Sequence, residues 1–270
     1  MSLVFADTLA PSALAGLFNA GFSDYLVPLQ LDEAALREHV RVHDIDLAAS
    51  PVATEPDAAA FALLGVRGPD AWIGGMATAP PHRRRGLGRR VLVAALEAAA
   101  QRGCETVWLE VVDANAAAIA LYRDLGFAPV RDLDVWSLEP QPEQPPASRP
   151  VDAPAAQAWI AADRSGREPW QRADATLARL GEGGVPLEAL IVERGGAVVG
   201  AAVHRTEGTS VAVLQIAADD DAAAAAALLA SAGGRAVHLA NTPSDGGCAR
   251  VLAGRGARLV ARQHEMRLAL

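Results

Sequence analysis

A proline-rich stretch near the middle of the chain limits the folds that the sequence can adopt. The segment Glu139–Pro154 (EPQPEQPPASRPVDAP) contains six prolines in sixteen residues. Proline has no amide hydrogen to donate and its φ is fixed, so such a segment forms neither a helix interior nor a central strand. We therefore predict two domains of similar size, residues 1–139 and residues 155–270, joined by a stiff linker over residues 140–154.

The first domain shows the alternation of helices and strands that is typical of α/β proteins. Apolar residues at helical spacing mark the helices, and runs rich in apolar and β-branched residues mark the strands. The predicted helices are Pro11–Ala20, Leu31–His43, Gly86–Arg102 and Asn115–Leu125. The predicted strands are Leu47–Thr54, Ala59–Arg67, Ala71–Ala77, Thr106–Val112 and one or two within Ala128–Leu138.

The second domain repeats this order of elements. Its predicted helices are Ala155–Ala162, Gln171–Leu180, Asp221–Ser231 and Gly246–Ala253, and its predicted strands are Leu187–Glu193, Ala197–Arg205, Ser210–Ala217, Arg235–Ala240 and Arg258–Leu268. Leu121–Leu138 aligns without gaps with Val251–Leu268, which places Gly126 on Gly256. An internal repeat of this kind indicates two related units. The predicted fold class is α/β (α+β), with two mixed β-sheets flanked by helices, in tandem.

Charge and cysteine content narrow the classes of function. The net charge of −8 argues against a protein that coats nucleic acid or an anionic membrane. Cys104 and Cys248 are too few for a disulfide framework and lack the spacing of metal ligands. The first residues lack the features of a signal peptide, and no apolar run approaches the ~20 residues of a membrane helix. We expect a soluble, cytoplasmic protein without a metal site.

The segment Ala71–Gly88 (AWIGGMATAPPHRRRGLG) joins an apolar strand, a glycine-rich corner and the start of a helix. The first N–H groups of a helix have no intrahelical partner, and the helix dipole adds about half a positive charge there, which favours phosphate. Gly86 and Gly88 allow the backbone to approach a ligand closely. Positive charge is added by Arg84, Arg85 and Arg89. The segment therefore predicts an anion-binding loop, although a solvated basic corner or a nucleic-acid contact fits the same residues.

Two motifs of the first domain resemble those of the GNAT acetyltransferase family. Arg83-x-x-Gly86-x-Gly88 after a strand resembles the pyrophosphate loop of that family, and Leu109–Phe127 (LEVVDANAAAIALYRDLGF) resembles its second signature. Within the family, the likeness is greatest to the ribosomal-protein N-terminal acetyltransferases. The resemblance covers roughly the first half of the chain. It implies an acetyl-CoA-dependent N-acetyltransferase in which a primary amine of a small molecule or a peptide N-terminus attacks the thioester directly.

The resemblance also implies roles for individual residues. Backbone N–H groups of residues 84–89 would hold the CoA pyrophosphate, and a strand distorted at Gly74 and Gly75 would pair with the pantetheine arm. Tyr122 would be the general acid and Glu110 the general base. The implied cofactor-binding residues are Met76, Ala77, Thr78, Arg84, Arg85, Gly86, Leu87, Gly88, Arg89 and Asn115.

Several of these side chains also fit purely structural roles. Glu110 could be the partner of an arginine, and Tyr122 could be a half-buried core aromatic. His39 and His43 lie one helical turn apart, which we interpret as an exposed helix face rather than a metal pair. Phe22–Pro28 either lines the acceptor pocket or forms a plain turn between helices.

The second domain lacks the features that the resemblance makes catalytic. Ala218–Ala222 (ADDDA) stands where the pyrophosphate loop would be, and its carboxylates would cap the next helix and repel a pyrophosphate. Leu252 aligns with Tyr122. We predict a degenerate, non-catalytic GNAT-like domain that completes the acceptor cleft, stabilises the first domain or mediates assembly. A catalytically silent CoA-binding sensor or assembly module is the alternative function, and the sequence does not distinguish a monomer from a homodimer.

Overall fold

The computed structural model of the protein describes residues 2–24, 30–142, 148–164 and 166–270. The chain forms two compact units, the first of Met1–Val130 together with Glu265–Leu270 and the second of Arg131–His264. These limits differ from those of the predicted domains, because residues 131–139 pack in the second unit and the last residues of the chain pack in the first. The domain limits drawn from the sequence stay a prediction.

The first unit contains a mixed sheet with helices packed on it. Its strands are β1 (Ser2–Phe5), β2 (Pro51–Thr54), β3 (Ala58–Arg67), β4 (Asp70–Thr78) and β5 (Thr106–Val112). Its helices are α1 (Pro11–Gly21), α2 (Glu33–Val42), α3 (Leu87–Gln101) and α4 (Ala116–Asp124). The strand order follows the chain from β1 to β5. Neighbouring strands are antiparallel except β4 and β5, which are parallel and are joined through α3.

Helix α3 packs as its sequence pattern predicts. The predicted face consists of Leu87, Val91, Ala94, Ala95 and Ala98, and all of these except the half-buried Ala94 are buried in the core that the helix shares with β4 and β5. The helix ends at Gln101, two residues before Gly103, whose φ of 77° is a left-handed conformation that terminates helices. Burial of this face fixes the start of α3 over the end of β4.

Strand β4 is distorted in its middle. Gly74 is the extra residue of a β-bulge against β3, as the resemblance implied for a strand that carries Gly74 and Gly75. On its other side, β4 pairs with β5 over three residues, and among the described residues this register ends at Trp72 and Trp108. No register pair beyond this one joins the described parts of the two strands, and we call the region between the last part of β4 and the last part of β5 the gap.

Two short elements of the first unit differ from the predictions. The predicted strand Leu47–Thr54 begins as a 3₁₀ turn over Leu47–Ala49, because the Asp46 side chain accepts a hydrogen bond from the Ala48 N–H and caps that turn. Only Pro51–Thr54 is a strand. Strand β1, which pairs antiparallel with β2, was not predicted.

The prediction of a linker over residues 140–154 is corrected in its last part. Strand β7 (Arg149–Val151) and helix α5 (Ala153–Asp163) both begin inside this range. Pro150 is tolerated because β7 is the last strand in the sheet order, and Pro154 because it lies in the first turn of α5. Residues 143–147 lie outside the described residues.

The second unit also consists of β-strands and helices. It includes most of β6 (Ala128–Leu138), then β7, β8 (Glu188–Arg194), β9 (Ala197–Glu207), β10 (Ser210–Ala218), β11 (Ala236–Pro243) and the first part of β12 (Arg258–Ala269). Its helices are α5, α6 (Asp174–Glu182), α7 (Asp221–Ala232) and α8 (Gly247–Gly254). The described part of the chain has no helix that is both long and apolar enough to cross a membrane.

The second unit repeats the central elements of the first. Strands β10 and β11 are parallel and are joined through α7, and β10 pairs antiparallel with β9. Leu214 is the extra residue of a bulge in β10, where β4 has Gly74. The register of β10 with β11 also covers three pairs and ends at Ala212 and His238 among the described residues. The predicted repeat of element order is confirmed.

Candidate active site

The loop before α3 presents a helix N-terminus without a side-chain cap. Gly86 is the N-cap residue, and no side chain accepts a hydrogen bond from the first turn. Its φ of 78° is left-handed, and a Cβ at this position would have no heavy atom within 4 Å. Arg84 also adopts a positive φ, of 64°. The loop therefore turns its backbone N–H groups outward at a position open to a ligand.

The end of β4 lies against the start of α3. A Cβ on Gly88 would be 3.3 Å from the Met76 Cε atom and 3.6 Å from the Thr78 hydroxyl oxygen. Glycine at residue 88 thus allows helix and strand to approach closely. The fold therefore brings together the predicted cofactor-binding residues of the strand and those of the loop.

Arginine side chains around the loop form ion pairs with neighbouring elements. Arg85 is 3.1 Å from the Glu55 carboxylate, and Arg89 is 3.6 Å from that of Asp124. Because these two arginines form ion pairs with carboxylates, the backbone N–H groups of the loop would be the main donors to a phosphate.

Arg83 connects the end of α1 with the end of β4. Its guanidinium donates to both oxygens of the Asp24 carboxylate at 2.6 and 2.7 Å, and these hydrogen bonds hold the pKa of Asp24 below its usual value. It also donates to the carbonyl oxygens of Gly21 at 3.2 Å and Thr78 at 3.0 Å. Sequence reasoning counted Arg83 as part of a motif but missed this role. For the segment Phe22–Pro28 the sequence left an acceptor-pocket lining and a plain turn open, and its residues 25–28 lie outside the described residues.

Tyr122 reaches β4 from the side of α3 and α4. Its side chain is buried, and its hydroxyl donates to the Met76 sulfur at 3.9 Å. Its ring centroid lies 5.8 Å from that of Phe127. The hydroxyl thus points at a strand residue predicted to contact the cofactor, although the same packing suits a core aromatic.

Asn115 is the N-cap residue of α4. Its side-chain oxygen accepts a hydrogen bond from the Ala118 N–H at 3.2 Å. The residue lies at the end of the loop that follows β5. A contact with a cofactor at this position would therefore come from the side-chain amide nitrogen.

Glu110 reaches the gap from the opposite face of the sheet. Leu109 and Val111 are buried in the core under α3, and because side chains alternate along a strand, Glu110 points the other way. Its carboxylate accepts a hydrogen bond from the Trp72 indole N–H at 2.8 Å. Glu110 and Tyr122 therefore approach the gap between β4 and β5 from its two faces.

The prediction that His39 and His43 lie on an exposed helix face is wrong. The His39 ring nitrogen is 3.1 Å from the carbonyl oxygen of Gly74, and the two histidine rings lie 4.8 Å apart. The His43 ring packs edge-on against Trp72, with a centroid distance of 5.3 Å. Burial lowers the pKa of both histidines, that of His43 to about 3. Among the described residues no group of three or more metal-ligating side chains occurs.

Acid should destabilise the fold through His43. The unfolded chain binds a proton at His43 near pH 6.5, whereas the folded chain does so only near pH 3, so stability is present above pH 6.5 and falls between these values. We expect wild type to lose about 2 kcal/mol more stability between pH 7 and pH 5 than His43→Gln loses. Urea unfolding of both proteins at the two pH values measures this difference. Equal losses would contradict it.

In the second unit, the helix end at the equivalent position is closed by its own side chains. Asp220 caps α7 by accepting a hydrogen bond from the Ala223 N–H at 2.7 Å, and Arg194 pairs with the same carboxylate. The pKa of Asp220 is lowered to about 2, first by Arg194 and then by the Ala223 N–H. Asp221 pairs with Arg250. Leu252, which aligns with Tyr122, is fully buried.

A cavity of about 510 Å³ lies beside this helix end in the second unit. It is lined by the end of β10 and by the starts of α7 and α8, the elements that correspond to β4, α3 and α4. Among the described residues, its charged side chains are six carboxylates and five arginines: Asp163, Glu168, Asp219, Asp220, Asp221, Asp245, Arg131, Arg164, Arg167, Arg172 and Arg250. The carboxylates of residues 219–221 stand at the helix N-terminus itself and disfavour a pyrophosphate there.

Part of the first unit matches a known family. Residues 18–127 match the model of the acetyltransferase (GNAT) family. The ribosomal protein bS18-alanine N-acetyltransferase of Escherichia coli (strain K12) is 46% identical over 69 residues, which are 26% of this chain and 47% of that relative. The chain thus spans about half the length of the curated relatives it matches.

Two solved structures share the fold over nearly the whole chain. A GCN5-related N-acetyltransferase from Sphaerobacter thermophilus has a TM-score of 0.72 at 20% identity, covering 99% of this chain and 95% of that one. A tandem GNAT protein from the clavulanic acid biosynthesis pathway has a TM-score of 0.65 at 16% identity, covering 99% and 98%. At these identities the likeness shows the fold alone, and it confirms the predicted fold class.

Proposed function

We propose that the protein is an N-acetyltransferase with its acetyl-CoA site in the first unit, because residues 18–127 match the model of the GNAT acetyltransferase family. The observation that carries the proposal is the uncapped N-terminus of α3 beside the last part of β4, which pairs with β3 on one side and lies beyond its register with β5 on the other. The uncapped helix N-terminus suits a pyrophosphate, and the β5 side of the last part of β4 suits an extended, amide-containing arm. A cytoplasmic place of action remains a prediction.

The residues at this gap fit acetyl-CoA. Backbone N–H groups of residues 84–89 would hold the pyrophosphate, since the open space at Gly86 admits it and no side chain caps the helix. Met76, Ala77 and Thr78 would pair with the pantetheine arm as an added strand, because they lie beyond the register of β4 with β5. Asn115 would contact the cofactor near the thiol.

Two side chains would manage the protons of the reaction. Acetyl-CoA supplies an acetyl thioester, and a primary amine is largely protonated at neutral pH. Glu110 would accept a proton from the ammonium, whose nitrogen then forms the C–N bond as the C–S bond breaks. Tyr122 would donate its proton to the departing thiolate and regain one through solvent from the acetylated nitrogen, so one proton is released per turnover. A backbone N–H of Met76 or Ala77 would stabilise the negative charge on the carbonyl oxygen.

The acceptor is proposed to be a primary amine of a peptide N-terminus or of a small molecule. Similarity to an enzyme named for an alanine N-terminus favours a peptide. The second unit is proposed to be non-catalytic, because Asp220 closes its helix N-terminus and Leu252 replaces the tyrosine. Its role would be to complete the acceptor cleft, to stabilise the first unit or to support assembly.

A thiol-release assay with acetyl-CoA and a panel of amines tests the proposal. The panel contains short peptides with N-terminal alanine, the same peptides with blocked N-termini, and small primary amines. We expect thiol release above the amine-free rate with at least one free amine, and none with its blocked form. If acetyl-CoA binds but no amine accelerates release, the protein is instead a silent CoA-binding module.

A further inference from the structure

We propose that Trp72 is a positioning residue that holds the Glu110 carboxylate at the gap between β4 and β5. The inference rests on the function proposed above, in which Glu110 is the general base. Trp72 would not touch the substrates, and it would act through its indole N–H.

Trp72 and Trp108 form a symmetric pair at the end of the register between the two strands. They face each other in the last register pair of β4 and β5. Each indole N–H donates, at 2.8 Å, to a carboxylate two residues along the other strand: Trp72 to Glu110, and Trp108 to Asp70. The Trp108 bond lies where the strands are still paired, whereas the Trp72 bond extends beyond the pairing. Trp72 therefore links β4 to Glu110, a residue of β5 that lies beyond the paired part of the two strands.

The indole of Trp72 is fixed by its surroundings. It is 3% exposed, and a Cβ on Gly74 would lie 2.8 Å from its Cε3 atom and 2.8 Å from the Ile45 Cδ1 atom. The ring of His43 packs against it edge-on. The ring therefore fills the space beside the bulge, where residue 74 has no room for a side chain. This packing fixes the orientation of the ring, and with it the direction of the indole N–H towards Glu110.

A donor at this place stabilises the ionised form of Glu110 and fixes its direction, and because the same bond makes the carboxylate a weaker base, the catalytic gain would come from its position. A hydrogen bond to a carboxylate stabilises its charged form, and charge-assisted bonds are the stronger ones. The titratable groups packed nearest to Trp72 are His39 and His43 of α2, and beyond them Arg67 of β3 pairs with Asp44. Both histidines are neutral near pH 7 because burial lowers their pKa values.

Trp72→Phe and its matched control Trp108→Phe test the inference in the full chain. Each removes one indole N–H from one carboxylate and keeps an aromatic ring. For Trp72→Phe we expect kcat to fall about tenfold at pH 7, the acid limb of the pH–rate profile to move to higher pH, and acetyl-CoA affinity to stay within about twofold of wild type. For Trp108→Phe we expect kcat within about twofold of wild type and an unmoved profile. Melting curves of the two variants show whether each is folded.

A second readout separates this inference from the proposed function. Carboxyl NMR titration of Glu110 needs no turnover, and we expect its midpoint to move upward in Trp72→Phe and to stay in place in Trp108→Phe. An unmoved midpoint in Trp72→Phe, or equal kinetic effects of both variants, would overturn the inference. Absence of thiol release by wild type would remove the proposed function, while the titration would still decide whether Trp72 holds the carboxylate.

Discussion

Gly86→Glu should abolish acetyl-CoA binding, lowering the affinity by at least about 100-fold. The left-handed φ of 78° strains any residue with a side chain, and a carboxylate at the start of α3 would cap its N–H groups and repel phosphate. The substitution would give α3 of the first unit an acidic N-cap like the one that Asp220 provides for α7 of the second unit. Calorimetric titration with acetyl-CoA measures the loss.

Gly103→Glu is the matched control for this substitution. Gly103 has a φ of 77°, and its Cβ would have no heavy atom within 4 Å, as at Gly86, but it lies at the opposite end of the same helix. We expect it to lower stability and to leave the affinity for acetyl-CoA within about twofold of wild type. Equal loss of binding in the two variants would mean that strain in α3, rather than a phosphate site at its start, explains the effect.

Tyr122→Phe should lower kcat by about 10²- to 10³-fold and leave the acetyl-CoA affinity nearly unchanged. The substitution removes only the hydroxyl that contacts the Met76 sulfur, and the ring keeps its packing against Phe127. Thiol-release kinetics measure kcat, and titration with acetyl-CoA measures affinity. A variant with wild-type kcat would show that Tyr122 is a core aromatic and that another group protonates the thiolate.

Features carried by neighbouring residues could be predicted from the sequence. The periodicity of Leu87, Val91 and Ala95 gave the buried face of α3, and the β-branched run Thr106–Val112 gave β5 with both ends correct. The family resemblance implied the distortion of β4, and Gly74 and Gly75 are compatible with it. In each case the signal lies within a few residues, because helix periodicity, strand propensity and glycine conformations are local properties of the chain.

Features that depend on distant residues could not be predicted. Arg83 bonds to a residue 59 positions away, His39 to one 35 away and Trp72 to one 38 away. No local sequence pattern predicts such distant partners. The one-turn spacing of His39 and His43 is compatible with an exposed helix face as well as with a buried one. The regular structure within residues 149–154 was missed because proline density hides the edge positions and first helical turns where proline is tolerated.

Calorimetric titration of the wild-type chain with acetyl-CoA measures how many cofactor sites each chain has. We expect one site per chain, because the N-terminus of α3 has no side-chain cap whereas that of α7 is capped by Asp220. Two sites per chain would contradict the assignment of the second unit as non-binding. Absence of binding would contradict the acetyltransferase function itself.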